Sequence, residues 1–364
     1  MMGHGFYGRH SQPQRAAARV ADRHLVDAAG AVPLPSSPTP VLIGDFGCAG
    51  GANEMAPIAE AIDAVRGRDA AVPIEVAHTD LPENDFGALF AVLDGTDGYP
   101  HGRTGVYPCV VGRTLYGPLF PDRRLHLGWS SITLHWLSDV PPVVPGRVYS
   151  NLLDDGPVRD AMAARSAADW RRFLTERARE LVPGGELVVT GGASQEDGTS
   201  GAEGLFTMIE AQLADMVDDG TLRPAEADRI FYPTWNRTPS EWRDQVDELG
   251  FDLLVDELSA TDDAVTYDIE GQPDGDGFAT RYLPFVRAIT EHPFFRKLDT
   301  DRTDTERSTV IETFYRGLHG RIAADPTAAA CCWHVMTLRL RRRAGSRADP
   351  DQDAPPGASG GPTR

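Results

Sequence analysis

The sequence predicts an α/β fold in which helices cover a mostly parallel, seven-stranded sheet. Short apolar runs alternate with amphipathic stretches, as in "VLIGDFG" from Val41 followed by "MAPIAEAIDAVRG", and this alternation is typical of parallel strands joined by crossover helices. A glycine-rich turn, "GCAGGAN", follows the first strand, where open α/β sheets bind nucleotides. Residues 201–240 and 281–323 are largely helical, and we expect them to form an α-helical cap over the ligand-binding edge.

The remaining elements are expected in a regular order along the chain. A helix is expected at residues 10–30, before a Pro- and Ser-rich connector that leads into the first strand. The stretch "DWRRFLTERARELVPGG" is expected to be a helix that ends at its Pro and Gly. The other six strands are expected in "PIEVAHTD", "YPCVVGRTLYG", "RLHLGWSS", "ELVVTGG", "FDLLVDEL" and "CWHVMTLRL".

The length of 364 residues fits one large α/β domain with inserted segments. We expect residues 1–340 to form this single domain. The last residues, 341–364, are rich in Pro, Gly and Asp and lack an apolar pattern. Such a composition cannot bury a core, so a disordered tail is predicted there.

The net charge and the cysteine content exclude several classes of function. The formal net charge is −19, and a surface this acidic repels nucleic acid and anionic lipid. Lys297 is the only lysine, so catalysis through a P-loop or Schiff-base lysine is excluded nearly everywhere. The four cysteines form no C-x-x-C pair, so no metal site is expected. With no signal peptide or membrane span expected either, the pattern favours a cytoplasmic protein.

The glycine-rich turn lies within "GDFGCAGGAN", residues 44–53. Glycines such as Gly47 allow a ligand to approach the backbone, and the helix that follows offers free amide groups. The spacing is not that of the dinucleotide fingerprint, and Asp45 would repel a pyrophosphate but suit a cationic amino-acid group. The alternative is a tight strand-to-helix turn that binds no ligand.

Asp80 ends the second predicted strand. A carboxylate at this position can accept hydrogen bonds from both hydroxyl groups of a ribose. The alternative is a helix N-cap, since "DLPEN" could open the next helix. Together, Asp45, the glycines and Asp80 indicate S-adenosylmethionine rather than a dinucleotide.

Several longer stretches, in the same order, resemble the motifs of one known family. "YGRHSQPQ" is similar to its Tyr-x-x-Asn-Ser-x-x-Gln, and "DLPENDFGALF" is similar to its Asp-Leu-Pro-x-Asn-Asp-Phe-x-x-Leu-Phe. "IGDFGCAGGAN", "LYGPLFP" and "SSITLHWLSDVP" match three further motifs. The chain thus resembles the SABATH family, which comprises carboxyl methyltransferases of the salicylate and benzoate type and caffeine-type N-methyltransferases.

The resemblance implies a class I methyltransferase with a Rossmann-like core and S-adenosylmethionine as cofactor. It implies that the cofactor is held at its methionine and amine end by Ser11, Asp45 and Asn53, and at its ribose and adenine by Asp80, Leu81, Thr114 and Leu115. It also implies that the acceptor pocket contains Gln14, His135 and Trp136. Gln14 and Trp136 would donate hydrogen bonds to the acceptor carboxylate, and such neutral donors orient a carboxylate without forming a strong ion pair.

The expected activity is methyl transfer to the carboxylate of a small, mostly apolar acid, which gives a methyl ester without a catalytic residue. Two alternatives stay open: N-methylation of a heterocyclic small molecule, and a non-catalytic relative that only binds S-adenosylmethionine. A homodimer is expected from the family.

The acceptor pocket is where the sequence departs from the family. Ile132 replaces the family's Tyr, His10 replaces its Asn, and Thr114 and Leu115 stand for its Ser and Phe beside one extra residue. Phe206 and Trp235 are expected either to line the pocket or to be ordinary core aromatics. His135 either shapes the pocket or acts as a general base.

Overall fold

The computed structural model describes residues 12–271 and 274–344, and for residues 12–18 it describes the backbone only. Within these residues, seven strands form one sheet. The strands are β1 Val41–Phe46, β2 Ile74–Asp80, β3 Val106–Gly112, β4 Leu125–Ser131, β5 Leu181–Ala193, β6 Phe251–Asp262 and β7 Cys332–Arg342.

The helices connect the strands and cover both faces of the sheet. In the first half of the chain they are α1 Gln12–Ala29, α2 Met55–Arg66, α3 Phe86–Leu93 and α4 Pro157–Glu180. In the second half they are α5 Glu203–Asp218, α6 Pro224–Ala227, α7 Pro239–Arg243, α8 Asp263–Thr266, α9 Gly275–Phe295, α10 Asp304–Ala324 and α11 Pro326–Ala329. Local sequence explains several starts: Asp85 caps α3, and Thr303 with Glu306 forms a capping box at α10.

The strand order across the sheet is β3-β2-β1-β4-β5-β7-β6. The chain builds outward from β1 to β3 and then returns to β4, so the order reverses between β1 and β4. In open α/β sheets, ligands bind at the carboxyl ends of the strands beside such a reversal. The interior strand β1 is buried along its whole length, which explains its largely apolar sequence.

The sheet is mixed, which qualifies the prediction of a mostly parallel sheet. The pairings among β1 to β5 are parallel, whereas β7 runs antiparallel to both β5 and β6. The reason is the connection between β6 and β7. Asp262 at the end of β6 pairs with Cys332 at the start of β7, so the intervening helices return the chain to the same edge and β7 must run back.

Three main hydrophobic clusters hold the layers together. On one face of the sheet, α1, α2 and α3 pack on the odd-numbered residues of β1, such as Ile43. On the other face, α4 packs on the even-numbered residues, such as Leu42 and Phe46. A third cluster joins α5, α9 and α10 into a separate helical layer. The described ranges contain no helix with both the length and the hydropathy needed to cross a membrane.

Most predicted elements are present, but several boundaries were wrong. The third strand ends at Gly112, so the predicted "RTLYG" extension is a loop. Helix α4 begins at Pro157, well before the predicted start, and ends at Glu180, before the Pro and Gly expected to stop it. The predicted cap segment 201–240 contains one long helix and two short ones. Of the predicted tail, residues 341 and 342 belong to β7, and residues 345–364 lie outside the described residues.

Candidate active site

The glycine-rich turn at the end of β1 is held close to its neighbours. The amide groups of Gly47 and Cys48 donate to the carbonyl of Thr79 at 2.8 and 3.0 Å. Gly47 has a φ of +87°, and a Cβ on it would lie 2.4 Å from the side chain of Thr133. This position therefore requires glycine for both its backbone conformation and its close contact.

Asp80 ties the end of β2 to this turn. Its carboxylate accepts hydrogen bonds from the amides of Ala49 at 2.8 Å and Leu81 at 2.7 Å. Burial raises the pKa of Asp80, and the two amide hydrogen bonds oppose that rise. The N-cap of α3 is Asp85, whose side chain accepts from Ala88, so the alternative N-cap role for Asp80 was wrong. Leu81, next to it, has 53% of its surface exposed beside the turn.

Asp45 lies at the carboxyl end of β1 and is 1% exposed. One carboxylate oxygen lies 2.7 Å from Nδ1 of His78, and Nε2 of the same ring lies 3.0 Å from the hydroxyl of Tyr99. Sequence analysis did not select His78 or Tyr99. The signal for His78 was its position two residues before Asp80, which in a parallel register places it opposite Asp45.

Glu54 adds a third carboxyl group that sequence analysis did not select. It is buried beside the turn, and the indole of Trp129 donates to it at 2.6 Å. Burial, followed by the charge of Asp45, raises the pKa of Glu54 to about 8. Three carboxyl groups thus lie at this edge of the sheet, and the charge of Asp45 on Glu54 shows its acidic character, which suits a cationic ligand.

The other predicted cofactor residues surround the same edge. Asn53 is half-buried just before α2. Thr114 is exposed in the loop 113–120 after β3, and its hydroxyl accepts from the amide of Tyr116 at 3.3 Å. Leu115 is partly buried against the sheet. Ser11 lies outside the described residues.

Two buried charges hold the loop 113–120 in place. Arg177 donates to the carbonyls of Leu115 at 3.0 Å and Gly117 at 2.9 Å. Glu180, which pairs with Arg177, accepts from the amide of Leu119 at 2.6 Å. Both side chains are fully buried, so this ion pair of α4 fixes the loop that carries Thr114 and Leu115.

A cavity of about 70 Å³ lies between the sheet and the helical layer. One part of its lining is apolar and comes from Ile132, Phe285, Ile289, Trp333 and Val335. The other part is polar and comes from His135, Tyr149, Ser200, Thr234, Asn236 and His334. Apolar side chains with a few polar groups among them are the lining that ligand-binding sites usually have.

His135 lines this cavity in one defined tautomer. Its Nδ1 accepts a hydrogen bond from the amide of Gly192 at 3.3 Å, so the proton lies on Nε2, the nitrogen that remains as a donor. Burial, and to a smaller extent Arg237, lowers the pKa of His135 to about 3. The ring is therefore neutral at physiological pH.

Trp136 lies next to His135, with ring centroids 5.7 Å apart and a second aromatic contact to Tyr232 at 5.0 Å. Among the side chains that the structure describes, none accepts a hydrogen bond from the indole N–H of Trp136. Gln14 lies in α1, where the structure describes the backbone but not its side chain.

The segment 231–237 crosses the cavity in extended form, bridged to Trp136 at Thr234 and to Ala193 at Arg237. Extended chain directs successive side chains to opposite sides. Tyr232, Thr234 and Asn236 accordingly line the cavity. Sequence analysis missed these three residues, although their alternation is visible in "YPTWN".

The same alternation directs Trp235 away from the cavity. Trp235 packs in a separate cluster with Met162 and Phe231. Phe206 is fully buried in the helical layer and stacks on Tyr149, with ring centroids 3.9 Å apart. Of the two roles left open for Phe206 and Trp235, the core role fits these surroundings.

Two consecutive residues connect the turn with the cavity. After β4, Ile132 lines the cavity, while the side chain of Thr133 lies against Gly47. Ile132 has a φ of +49°, which is unusual for a β-branched residue and costs energy. The backbone thus places the acidic edge of the sheet and the cavity on either side of one dipeptide.

The sequence pattern of the family described as SAM dependent carboxyl methyltransferase matches residues 2–309 of the chain. The chain belongs to this family. It is an S-adenosylmethionine-dependent carboxyl O-methyltransferase, which forms a methyl ester from a carboxylate. The resemblance to the SABATH family and the cofactor, both predicted from the sequence, are confirmed.

Curated relatives of this carboxyl methyltransferase agree with the assignment. Methyltransferase LUC1 of Fusarium sp is 31% identical over 258 residues, which span 68% of this chain and 67% of that protein. Salicylate carboxymethyltransferase of Clarkia breweri is 29% identical over 255 residues, which span 66% of this chain and 68% of that protein. Jasmonate O-methyltransferase of Arabidopsis thaliana is 28% identical over 290 residues, 68% of this chain and 75% of that protein.

A solved structure of a loganic acid methyltransferase with SAH has the same fold as this methyltransferase. The TM-score is 0.76 at 19% sequence identity, and the alignment covers 95% of this chain and 98% of the other. At that identity the likeness shows the α/β methyltransferase fold alone.

Proposed function

We propose that this methyltransferase acts on a small, mostly apolar carboxylic acid that binds in the cavity beside His135. The observation that carries the proposal is the neutral His135, whose Nδ1 is engaged by Gly192 and whose Nε2–H remains as a donor. Beside it, the indole N–H of Trp136 has no acceptor among the described side chains. Two neutral donors next to a partly apolar cavity suit the carboxylate of a small acid.

The residues at the acidic edge fit S-adenosylmethionine, which carries positive charge on its sulfur and its amine. In this proposal Asp45 and Asn53, with Ser11, hold the methionine and amine end. Asp80 accepts from the ribose, and Leu81, Thr114 and Leu115 lie along the adenine. The support is the three carboxyl groups beside a turn in which Gly47 removes the side chain that would block close approach.

When bound, S-adenosylmethionine supplies an electrophilic methyl group for one in-line displacement by a carboxylate oxygen. The chain contributes proximity and orientation. His135 and Trp136, with Gln14, hold the carboxylate by hydrogen bonds, and Ile132 and Thr133 set the distance between cavity and turn. No residue needs to remove a proton, because a carboxylic acid with a pKa near ~4 is already ionised at neutral pH.

We further propose that the helical segments 201–240 and 281–323 act as the cap of a single domain formed by residues 1–340. The support is the contribution of α9 to the cavity, through Phe285 and Ile289. These side chains cover the cavity from the side opposite the sheet, so the helical layer would exclude water from the reacting groups.

We also propose that the protein is a homodimer and that it is located in the cytoplasm. The described cysteines Cys48, Cys109, Cys331 and Cys332 are all unpaired, which suits a reducing compartment. The edge strand β6 exposes Leu253, Leu254 and Leu258, each about 40% exposed. An unpaired edge with apolar side chains favours contact with a second chain.

The test is methyl transfer from radiolabelled S-adenosylmethionine to a panel of aromatic, aliphatic and terpenoid acids, with the product identified by mass spectrometry. A methyl ester is expected. Trp136→Phe, which removes the N–H, should lower kcat/KM by about tenfold or more. Trp170→Phe is the matched control, because the Trp170 indole bonds to Asp244 in the core. A product methylated on nitrogen, or an unchanged Trp136→Phe variant, would contradict the proposal.

A further inference from the structure

His78 makes a buried hydrogen bond to Asp45 that has so far been given no role in the reaction. The parallel register of β1 and β2 places the two residues side by side, and Nδ1 of His78 lies 2.7 Å from Oδ2 of Asp45. The side chains of His78 and Asp45 are 0% and 2% exposed. A carboxylate that is removed from water needs hydrogen-bond donors to stay ionised, and His78 supplies one.

The hydroxyl group of Tyr99 determines how the His78 ring uses its two nitrogens. This hydroxyl lies 3.0 Å from Nε2 of His78. An ionised carboxylate only accepts hydrogen bonds, so Nδ1 carries a proton and donates to Asp45, while Nε2 of the neutral ring accepts from Tyr99. Tyr99 is 1% exposed, and Arg103 donates to its carbonyl at 3.1 Å while it pairs with Asp63 on α2. The Nδ1–H group is thus held in place facing Asp45.

Asp45 and Glu54 compete for one proton at this edge of the sheet. Burial, followed by the charge of Asp45, raises the pKa of Glu54 to about 8. The donor to Glu54 is the indole of Trp129, at 2.6 Å. An imidazole can meet a carboxylate with positive charge, whereas an indole cannot. When two carboxyl groups interact, the proton stays on the one that is less well stabilised as an anion, which here is Glu54.

The other described titratable groups around this pair carry negative charge or none. They come from α1, the glycine-rich turn, the end of β2 and the loop after α3, and they are Asp22, Cys48, Asp80 and Tyr99. Burial raises the pKa of Cys48 and of Tyr99, and the charge of Asp45 raises both further, so these two groups keep their protons at neutral pH. Of the groups named, His78 is the one that can become a cation.

We propose that His78 is a positioning residue for cofactor binding, because its Nδ1–H keeps Asp45 ionised and leaves the shared proton on Glu54. The inference rests on the proposed role of Asp45 in binding the amine of S-adenosylmethionine. His78 occupies Oδ2 of Asp45 and leaves the other oxygen for that amine. Without His78, the proton moves to Asp45, since Glu54 keeps its indole donor, and the cofactor amine then meets a neutral acid.

The first test is the affinity for S-adenosylmethionine, measured by calorimetry at neutral pH. His78→Leu should weaken it by about tenfold or more. His78→Asn should restore most of the loss, because an amide nitrogen on Cγ takes the place of Nδ1 and can donate to Asp45. The matched control is His126→Leu. The buried His126 imidazole on β4 accepts from the amide of Leu42 near the start of β1, so its loss should lower the melting temperature and leave the affinity unchanged.

A double variant separates the placement of the proton from a purely structural role of His78. Glu54 is protonated at neutral pH, so Glu54→Gln alone should leave the affinity nearly unchanged at that pH. Added to His78→Leu, Glu54→Gln removes the charge that opposes ionisation of Asp45, and the affinity should rise towards that of the wild type. If the edge needed only negative charge, Glu54→Gln would weaken the binding by His78→Leu further.

Asp45→Asn distinguishes failure of this inference from failure of the proposed cofactor site. Wild-type affinity in Asp45→Asn would overturn both the role of Asp45 and that of His78. A large loss in Asp45→Asn keeps the cofactor site. The role of His78 is then overturned if His78→Leu binds as well as the wild type, if His78→Asn binds as weakly as His78→Leu, or if the double variant binds no more tightly than His78→Leu.

Discussion

Glu54 and Asp45 lie together at the acidic edge of the sheet, where we propose that the cofactor binds, and Glu54 carries a proton at neutral pH. Burial and the charge of Asp45 raise the pKa of Glu54 from 4.5 to about 8. A raised pKa in the folded state means that the stability contributed by protonated Glu54 is full below pH ~4.5 and is lost as the pH rises through 8. A cationic cofactor favours the ionised form, so cofactor binding and proton release should be coupled.

This coupling predicts that the affinity for S-adenosylmethionine rises between pH 6.5 and 8.5 and that Glu54→Gln reduces the rise. Titration calorimetry in buffers of different ionisation enthalpy measures both affinity and proton release. The cofactor amine titrates in every variant, so the difference between wild type and variant isolates Glu54. Glu60→Gln, on the exposed side of α2, is the matched control. Identical pH dependence in wild type and Glu54→Gln would refute the coupling.

Substitution of Asp80 should weaken cofactor binding independently of Glu54. Asp80→Ala removes charge-assisted hydrogen bonds, which should weaken the affinity for S-adenosylmethionine by about tenfold to a hundredfold. The control is Asp85→Ala, which removes the N-cap of α3; it should cost about 1 kcal/mol of stability with little change in affinity. Equal affinities for Asp80→Ala and wild type, measured by calorimetry, would reject the ribose role.

At the scale of elements, the sequence predicted the strands and the glycine-rich turn because their signals are local. The alternation in "YPTWN" is local too, but a stretch of five residues does not show which of its two sides faces the cavity that Thr234 and Asn236 line. His78 and Glu54 depend on strand register and on burial among other carboxyl groups, which no short motif records. The direction of β7 depends on where the helical layer returns the chain.

The buried ion pair of helix α4 should contribute strongly to the stability of the fold. Glu180→Gln breaks a fully buried ion pair with Arg177, which should cost about 3–5 kcal/mol because Arg177 is left uncompensated. The Glu180 side chain also accepts from the amide of Leu119, and a neutral amide group holds this loop and Arg177 less firmly, so cofactor affinity should fall as well. Glu176→Gln, in a surface pair with Arg179, should cost at most ~1 kcal/mol. Urea unfolding measures the free energy of unfolding of both variants. Similar losses of stability in the two variants would contradict the role of the buried pair.

At the scale of the whole molecule, β7 completes the sheet at Arg342. Deleting residues 346–364, which are rich in Pro, Gly and Asp, should leave the melting temperature and methyl transfer nearly unchanged. Calorimetric melts and initial rates of the shortened chain test this. A large drop in either quantity would show that the domain needs its C-terminal residues.

The whole molecule brings an acidic cofactor edge and a neutral hydrogen-bonding cavity together across Ile132 and Thr133. The central claim is that the cavity orients a carboxylate that is already ionised, so methyl transfer needs no base. The most direct measurement is the pH dependence of kcat, with both substrates saturating, for wild type and His135→Gln. We expect no limb near pH 6.5, in keeping with the lowered pKa of His135 at about 3, and appreciable turnover in the variant. A limb near pH 6.5 in wild type only, with a loss of ~10²–10⁴-fold in His135→Gln, would contradict it and make His135 a general base.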